Sequence, residues 1–369
     1  MIKDLANKSI VFKLSSLAVT NPDGGINHYQ MNQIIKNIMH LKTIYAIRPV
    51  IVSSGAINAG RTFLKSVEQS DMSSLQASSS IGQILLMQKF QDKFSKNNQV
   101  ISQILLTHED LKNKKRSLNT KNTLNKLLNE GIIPILNEND TTSYDEITFG
   151  DNDQLSAMIC EMINAKTLVM LTQVNGLYDR DPSDDTATRF SEIEFDHNFE
   201  NIHTITKTST GRGGMKTKLQ AVRKLTPLGI DVVISTFTGK DPILKALDRS
   251  NGTLFKANPN PVDVKKKSWI LTRVRDHAHI TIDKGAMGAL EKNASLLPVG
   301  IKNVKGPFLR GDSVQIKYGR KVVAYGITEY SSQEVDKIKQ RKSSELQGIL
   351  GHVPSIVVVH KDNLILRQD

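Results

Sequence analysis

Two short polar clusters, "NEND" at residues 137–140 and "GDND" at residues 150–153, contain the side chains best suited to bind a charged molecule. Each cluster places carboxylates and an amide where one predicted element ends or begins. Such side chains cap helices, coordinate cations or bind a charged substrate. Capping is the simpler interpretation of either cluster alone, whereas the two together favour a binding site. The candidates are Asn137, Asp140, Asp151, Asn152 and Asp153.

A glycine-rich segment, "TGRGGMKTKLQA" at residues 210–221, predicts a phosphate-binding site. Its three glycines allow backbone N–H groups to converge on an anion, and the helix predicted after them presents a positive N-terminus. Lys216 and Lys218 add cationic side chains. A flexible loop before a basic helix has the same composition, so the segment alone does not decide. The chain contains neither the P-loop pattern GxxxxGKS/T nor GxGxxG, which leaves a P-loop or Rossmann dinucleotide site unsupported.

Lys13 stands at the end of "SIVFKL" (residues 9–14), a pattern typical of a short buried strand. A lysine there is costly unless it lies near negative charge, although its flexible stem also lets it reach solvent. The next strand pattern closes with "SSGA" (residues 53–56), whose small side chains leave room for a ligand against backbone donors. A tight strand-to-helix turn has the same composition. Together with the polar clusters and the glycines, these residues favour a binding site over separate caps and turns.

Strand-like and helix-like patterns alternate over the first 250 residues. This order is typical of an α/β domain with an open, mostly parallel sheet sandwiched by helices. Ligands bind such sheets beyond the carboxyl ends of the strands, where the candidate residues fall. Strands are predicted at residues 9–14, 48–54, 99–107, 167–172 and 230–236 and within 132–140, and helices at residues 28–42, 74–96, 118–131 and 153–164.

The pattern changes after "KANPNPVDVKKKSW", where prolines, asparagines and a lysine run predict a domain boundary. Short strand patterns separated by Gly, Pro and Asp turns follow, and they predict a small β-rich domain. We expect a first domain over residues 1–258, a linker over 259–272 and a second domain over 273–369. Within the first domain, the polar stretch at residues 181–210 is predicted to form a mobile flap or lobe outside the core.

The composition limits the class of protein. Aromatic residues make up only 5% of the 369 residues, which argues against single-strand nucleic-acid binding through stacked bases. Cys160 is the only cysteine, so no internal disulfide is possible and a reducing compartment is favoured. No apolar run is long enough to span a bilayer, and the N-terminus lacks the apolar centre of a signal peptide. We therefore predict a cytoplasmic protein.

Four segments in this order and spacing resemble the glutamate 5-kinase (γ-glutamyl kinase) family, which has the amino-acid-kinase fold: "IVSSGAINAGR", "GIIPILNENDTTSYDEITFGDNDQLSA", "NGLYDRDP" and "GGMKTKLQAV". The later segment "LLPVGIKNVKGPFLRGDSVQI" is similar to the PUA domain appended to many of these kinases. The resemblance covers nearly the whole chain, and the pair of polar clusters is specific for this family among amino-acid kinases. It implies an amino-acid-kinase domain followed by a PUA-like domain.

The resemblance implies ATP-dependent phosphorylation of the side-chain carboxylate of L-glutamate, which gives L-glutamyl 5-phosphate in the first step of proline biosynthesis. Mg²⁺ is expected to accompany ATP mainly through the phosphate oxygens, without a protein metal site. Lys13 and Lys218 would flank the phosphates, and Asp153 would orient both lysines. The glutamate site would comprise Ser54, Gly55, Ala56, Asn137, Asp140, Asp151 and Asn152. The nucleotide site would comprise Lys13, Thr172, Gln173, Arg212, Gly213, Gly214, Met215, Lys216, Thr217 and Lys218.

Two positions depart from the family pattern. Ser15 stands where the family usually has glycine, and we expect its β-carbon to narrow the approach of the phosphates. Gln173 stands where the family usually has aspartate, which removes a carboxylate near the nucleotide. Neither change removes a group that the transfer needs, so an active kinase is still expected.

The resemblance also implies proline as a feedback inhibitor, acting at or beside the glutamate site through the loop at residues 139–149, and a homo-oligomer, either a tetramer or a dimer. One alternative is an amino-acid kinase for another acid, such as aspartate, acetylglutamate or carbamate. A second is an RNA-binding or regulatory protein with a degenerate kinase domain. Residues 261–369 carry 19 Lys/Arg against 11 Asp/Glu, but a solvated surface explains this excess more simply than RNA contact.

Overall fold

The computed structural model describes residues 2–64, 71–142, 152–195, 214–261 and 274–367. The chain forms two compact units. The first comprises Met1–Lys112 and Asn119–Pro261, and the second comprises Asn113–Leu118 and Val262–Asp369. The domain boundaries expected at residues 258 and 273 stay a prediction.

The first unit is built on an eight-stranded sheet with the order β3-β4-β2-β1-β5-β7-β8-β6. The strands from β3 to β7 in that order are all parallel, whereas β8 runs antiparallel to β7 and pairs in parallel with β6. The predicted α/β class with a mostly parallel sheet is confirmed. The strands are β1 Ser9–Leu14, β2 Arg48–Ser53, β3 Ile101–Leu106, β4 Ile133–Glu138, β5 Thr167–Thr172, β6 Glu192–Ile193, β7 Asp231–Thr236 and β8 Thr253–Phe255.

Helices cover both faces of this sheet. Their bounds are α1 Ser16–Val19, α2 His28–Tyr45, α3 Ala56–Gly60, α4 Met72–Phe94, α5 His108–Lys112, α6 Lys114–Asn129, α7 Asn152–Met162, α8 Met215–Leu225 and α9 Pro242–Leu247. Throughout the described ranges, no helix has the length and apolar character needed to cross a membrane.

The central strand β1 separates two hydrophobic cores, because successive side chains of a strand point to opposite faces. Ile10 and Phe12 lie in one core with side chains of α2 and α4. Val11 lies in the other core with side chains of α7 and α8. Lys13, two residues after Val11, therefore points to the face that α7 and α8 cover. Lys13 is buried, with 6% of its surface exposed, so its side chain does not extend into solvent.

Helices α3 and α4 contact each other through two glycines. A β-carbon added to Gly82 would lie 1.8 Å from the carbonyl oxygen of Ala56, and one added to Gly60 would lie 2.0 Å from that of Ser78. Because both obstacles are backbone atoms, neither can move aside without shifting a helix. The two glycines thus hold the start of α3 against α4.

Replacing Gly82 with Ala is therefore expected to lower the free energy of unfolding by about 1–3 kcal/mol, the usual cost of overpacking. Thermal unfolding measures the loss, and Gly288→Ala is the matched control. An added β-carbon at Gly288, in the later helix Lys284–Glu291, meets nothing within 4 Å. Alanine should stabilise that helix, since glycine is the poorer helix former. Equal unfolding midpoints for the two variants would contradict the close contact of α3 with α4.

Part of the polar stretch at residues 181–210 belongs to the sheet, so the expectation of a flap wholly outside the core is wrong there. Strand β6 pairs with β8, and Ile193 is buried with 4% of its surface exposed. The neighbouring Glu192 is compatible with this position because its carboxylate pairs with Arg249 and Lys256. Residues 196–213 of the stretch and of the segment after it lie outside the described residues.

The second unit contains a five-stranded sheet with the order β10-β9-β11-β12-β13. Its apolar side chains form a separate core that includes Phe308, Ile316 and Tyr330. The predicted β-rich second unit is confirmed. The strands are β9 Val274–Ile282, β10 Ile301–Lys305, β11 Ser313–Tyr318, β12 Lys321–Thr328 and β13 Val359–Leu366, and the helices are α10 Lys284–Glu291, α11 Ser332–Ile338 and α12 Leu346–Leu350.

Candidate active site

Three buried charged side chains meet at the carboxyl edge of the first sheet. The Nζ of Lys13 lies 2.8 Å from Oδ1 of Asp153, and the Nζ of Lys218 lies 3.0 Å from Oδ2 of the same carboxylate. Asp153 is 1% exposed and Lys218 is 5% exposed. The hydroxyl of Thr217 donates to Oδ2 of Asp153 at 2.7 Å. The structure thus brings together the three residues predicted to be catalytic.

Each member of this group comes from a different element. Lys13 is near the end of β1, Asp153 is in the first turn of α7, and Lys218 is in the first turn of α8. Parallel strands and the helices that follow them bring their loops to one edge of the sheet, which is why residues so distant in sequence meet. The N-terminal turn of α7 also favours a carboxylate through its helix dipole.

The electrostatics of the group favour an anionic ligand. Burial by itself would raise the pKa of Asp153, but the ammonium groups of Lys13 and Lys218 and the hydrogen bonds from Lys13 and Thr217 hold that pKa well below its usual range. The carboxylate is therefore ionised at neutral pH. Two ammonium groups share this single carboxylate, so the three side chains together carry one net positive charge. A phosphate group brought to this point would meet that charge where water is largely excluded.

A cluster of amide side chains lies beside the charged group. The Nδ2 of Asn152 contacts the carbonyl oxygen of Ser53 at 3.1 Å, the hydroxyl of Ser54 at 2.7 Å and Oδ1 of Asn137 at 3.1 Å. Asn137 and Asn152 are 3% and 7% exposed. Asp140 accepts a hydrogen bond from the Ser79 hydroxyl at 2.7 Å. Most of the residues predicted to bind the substrate are thus held by specific contacts.

The turn from β2 into α3 requires glycine. Gly55 has a φ of 101°, in the left-handed region that other residues rarely adopt, and an added β-carbon would lie 2.9 Å from a methyl group of Val19. The backbone N–H of Ser54 donates to the carbonyl of Leu14 at 3.1 Å, which fixes this turn beside the end of β1. Ala56 begins α3 and is buried. The predicted residues Ser54, Gly55 and Ala56 thus adjoin the amide cluster.

The residues predicted to hold a nucleotide differ in their exposure to solvent. Thr172 ends β5, and its carbonyl accepts a hydrogen bond from Phe237 at 3.0 Å, whereas Gln173 is exposed. On α8, Met215 is buried and Lys216 is exposed, two residues from the buried Lys218. Gly214 caps this helix with extended backbone. Asp151, Arg212 and Gly213 lie outside the described residues.

Ser15 directly follows β1 and is linked to the neighbouring strand β5. Its backbone N–H donates to the carbonyl of Leu171 in β5 at 3.0 Å. Its φ of −68° and ψ of 162° are ordinary extended values, so the backbone does not require glycine here. Among the described residues its hydroxyl oxygen is buried without a hydrogen-bond partner. The narrowing of the phosphate approach by its β-carbon stays a prediction.

Ser15→Ala is expected to raise the free energy of unfolding by about 1 kcal/mol, because an unpaired buried hydroxyl is lost. Thermal unfolding without ligands measures this change. Ser53→Ala serves as control, since that buried hydroxyl donates to the Ser54 carbonyl at 3.1 Å. Ser15→Gly removes the β-carbon as well. A lower KM for ATP in Ser15→Gly than in Ser15→Ala would support the prediction that this β-carbon narrows the approach of the phosphates. A destabilised Ser15→Ala would show that the hydroxyl is satisfied.

Two residues that contact the predicted site were missed in the sequence. Ser79 and Gln83 lie one turn apart on α4, and their side chains contact Asp140 and Asn137. The only signal was a pair of polar residues at a spacing of four in a long helix, which places them on one face.

Within the described residues, no group of three or more His, Cys, Asp or Glu side chains is arranged to hold a metal ion.

Comparison with known proteins identifies the class to which this fold and site belong. A sequence model of the Amino acid kinase family matches residues 8–235, and one of the PUA domain matches residues 278–350. The chain therefore belongs to the amino acid kinase family.

Full-length relatives narrow the class further. The chain is 40% identical over 367 residues to a glutamate 5-kinase of Dictyoglomus turgidum, with 97% of each chain covered. It is 37% identical to glutamate 5-kinases of Aromatoleum aromaticum, with 98% of each chain covered, and Citrifermentans bemidjiense, with 97% covered. The resemblance predicted from the sequence motifs is confirmed, including the appended PUA domain.

Proposed function

We propose that this protein transfers the γ-phosphoryl group of ATP to the side-chain carboxylate of L-glutamate and so forms L-glutamyl 5-phosphate, the first intermediate towards proline. The observation that carries the proposal is the buried group of Lys13, Asp153 and Lys218 beside the amide cluster of Asn137 and Asn152. The first group suits phosphate and the second suits an amino acid. The names of the full-length relatives give the substrate.

The reaction needs no general base. The side-chain carboxylate of glutamate has a pKa of about 4.3 and is already ionised at neutral pH. One of its oxygens forms a bond to the γ-phosphorus, the bond to the β–γ bridging oxygen breaks, and the electron pair leaves with ADP. No proton moves in this step. What the site supplies is alignment of two anions and compensation of charge on the transferring group.

The residues divide between these two tasks. Lys13 and Lys218 contact the phosphates, and Asp153 holds the two ammonium groups in place. Mg²⁺ enters as part of the MgATP substrate and supplies further charge compensation at the phosphate oxygens. The glutamate is bound by Ser54, Gly55, Ala56, Asn137, Asp140, Asp151 and Asn152, and the nucleotide by Thr172, Gln173 and residues 212–218.

ATP-dependent hydroxamate formation tests the proposal, because hydroxylamine traps the labile acyl phosphate. The assay contains L-glutamate, Mg²⁺ and ATP, and parallel reactions replace glutamate with L-aspartate or N-acetyl-L-glutamate. Carbamate is tested by ADP release. We expect a signal with L-glutamate at least tenfold above the other acids. A preference for another acid would move the protein to a different amino-acid kinase, and silence with all of them would support a degenerate kinase domain.

Several partners are proposed on the family resemblance alone. Proline is proposed as a feedback inhibitor that overlaps the glutamate site, and the loop at residues 139–149 that would mediate this lies mostly outside the described residues. Inhibition that glutamate cannot relieve would contradict the overlap. A homo-oligomer, tetramer or dimer, is proposed on the same basis.

The cytoplasmic location stays a prediction from the sequence, and RNA contact by the PUA domain is not proposed.

A further inference from the structure

Three amide side chains form a continuous hydrogen-bonded relay across the substrate side of the site. The Nδ2 of Asn137, at the end of β4, donates to Oε1 of Gln83 on α4 at 2.8 Å. The Nδ2 of Asn152, at the start of α7, donates to Oδ1 of Asn137 at 3.1 Å. Among the described residues, these two hydrogen bonds link Gln83 to the substrate residue Asn152 through Asn137.

Two backbone groups fix the direction of this relay. The N–H of Glu138 donates to Oδ1 of Asn137 at 2.9 Å, and a backbone N–H can only donate. The carbonyl of Ser53 accepts from Nδ2 of Asn152 at 3.1 Å, and a carbonyl can only accept. Each asparagine amide thus has one backbone contact that assigns its oxygen and its nitrogen, and the bonds from Asn152 to Asn137 and from Asn137 to Gln83 agree with both assignments. Asn137 must direct its N–H groups at Gln83, and an acceptor at that position keeps it there.

The relay ends on an unused acceptor. Within the described parts of the chain, the Oδ1 of Asn152 is buried and has no hydrogen-bond partner. Asn152 as a whole is 7% exposed. A buried acceptor without a donor is unfavourable until a ligand supplies one. The α-ammonium of an amino acid supplies three N–H donors and a positive charge, which suits a carbonyl oxygen better than either carboxylate of the substrate does.

We propose that Gln83 is a positioning residue that acts through Asn137 to keep the amide of Asn152 turned with Oδ1 free to accept from the substrate's α-ammonium. The proposal rests on the proposed function, because it assigns a role within the glutamate site. Ser79, one turn before Gln83 on α4, donates a hydrogen bond from its hydroxyl to Asp140. One face of α4 therefore contacts two of the residues assigned to the substrate.

Gln83→Met removes the acceptor while keeping the length of the side chain and its helix propensity. We expect it to raise the KM for L-glutamate about tenfold and to leave the KM for ATP within twofold of the wild type. The unfolding temperature should fall by only a few degrees, since one buried donor of Asn137 loses its acceptor. Gln83→Glu keeps an acceptor for Asn137 and should restore most of the affinity for glutamate. Gln88→Met, at an exposed glutamine of the same helix, is the control.

The outcomes separate this proposal from the one on which it rests. Wild-type protein without glutamate-dependent activity would overturn both. An active wild type whose Gln83→Met variant keeps its KM for glutamate would overturn the role of Gln83 alone. A variant in which both KM values rise together, or in which Gln83→Glu fails to rescue, would show that Gln83 only supports the packing of α4.

Discussion

Asp153→Asn is expected to lower kcat for glutamate phosphorylation by about 10²–10³-fold, the usual effect of removing one preorganised electrostatic contact. The substitution preserves the shape of the side chain and removes its charge. Lys13 and Lys218 then lose the carboxylate that holds both ammonium groups within 3.0 Å. The two cations repel each other and no longer converge on the transferring phosphoryl group.

The same substitution should also destabilise the fold. Breaking a buried ionic group by removing one partner typically costs about 3–5 kcal/mol, because the remaining charge is left buried and uncompensated. Hydroxamate assays at saturating substrates and thermal unfolding measure the two effects on the same preparation.

Glu161→Gln is the matched control for Asp153→Asn. Glu161 lies on the same helix, α7, and pairs with Lys224 of α8 at 3.1 Å, but both side chains of that pair are more than a third exposed. Exposed pairs contribute little to stability, so this control should keep wild-type activity and a wild-type unfolding temperature. Retention of more than a tenth of wild-type kcat in Asp153→Asn would contradict the role assigned to Asp153.

Lys218→Met is expected to lower kcat about 10²–10³-fold by the same reasoning about lost charge compensation. It differs from Asp153→Asn in its effect on stability. The remaining pair of Lys13 and Asp153 is charge-balanced, whereas Asp153→Asn leaves two cations. We therefore expect Lys218→Met to unfold at a higher temperature than Asp153→Asn, although both variants lose most of their kcat.

Lys224→Met on the same helix is the control for Lys218→Met and should keep full activity. A Lys218→Met variant with wild-type kcat and only a raised KM for ATP would mean that Lys218 binds the nucleotide without stabilising the transition state. An unfolding temperature below that of Asp153→Asn would contradict the charge balance inferred for the group.

The alternating patterns in the sequence predicted most of the first unit. Strands β1 and β5 have the predicted bounds, and α2 extends three residues beyond its prediction. These elements have strong local signals. A buried strand appears in the sequence as a run of apolar residues, and a surface helix as apolar residues that recur every three or four positions. Strand β6 was missed because it contains only Glu192 and Ile193, too few residues for any pattern.

The residues that meet in the candidate site were predicted in part for a similar reason. Lys13, Asp153 and Lys218 stand next to recognisable strand or helix boundaries, and the family motifs contain them. Gln83 gave no such signal, because its partner Asn137 lies 54 residues along the chain and the contact exists only once α4 packs against the sheet. The acceptor left open on Asn152 likewise depends on which way two amides face, and the backbone groups of Ser53 and Glu138 act on that orientation together with Gln83.

The most direct test of the central claim uses glutamate labelled with ¹⁸O in both side-chain carboxylate oxygens. The labelled substrate is incubated with wild-type protein, MgATP and hydroxylamine, and the released phosphate is analysed by mass spectrometry. If the carboxylate attacks the γ-phosphorus, hydroxylamine then displaces phosphate at the carbonyl carbon, and each phosphate carries one ¹⁸O atom. Unlabelled phosphate formed in step with ADP would contradict transfer to the glutamate carboxylate, and with it the function assigned to this site.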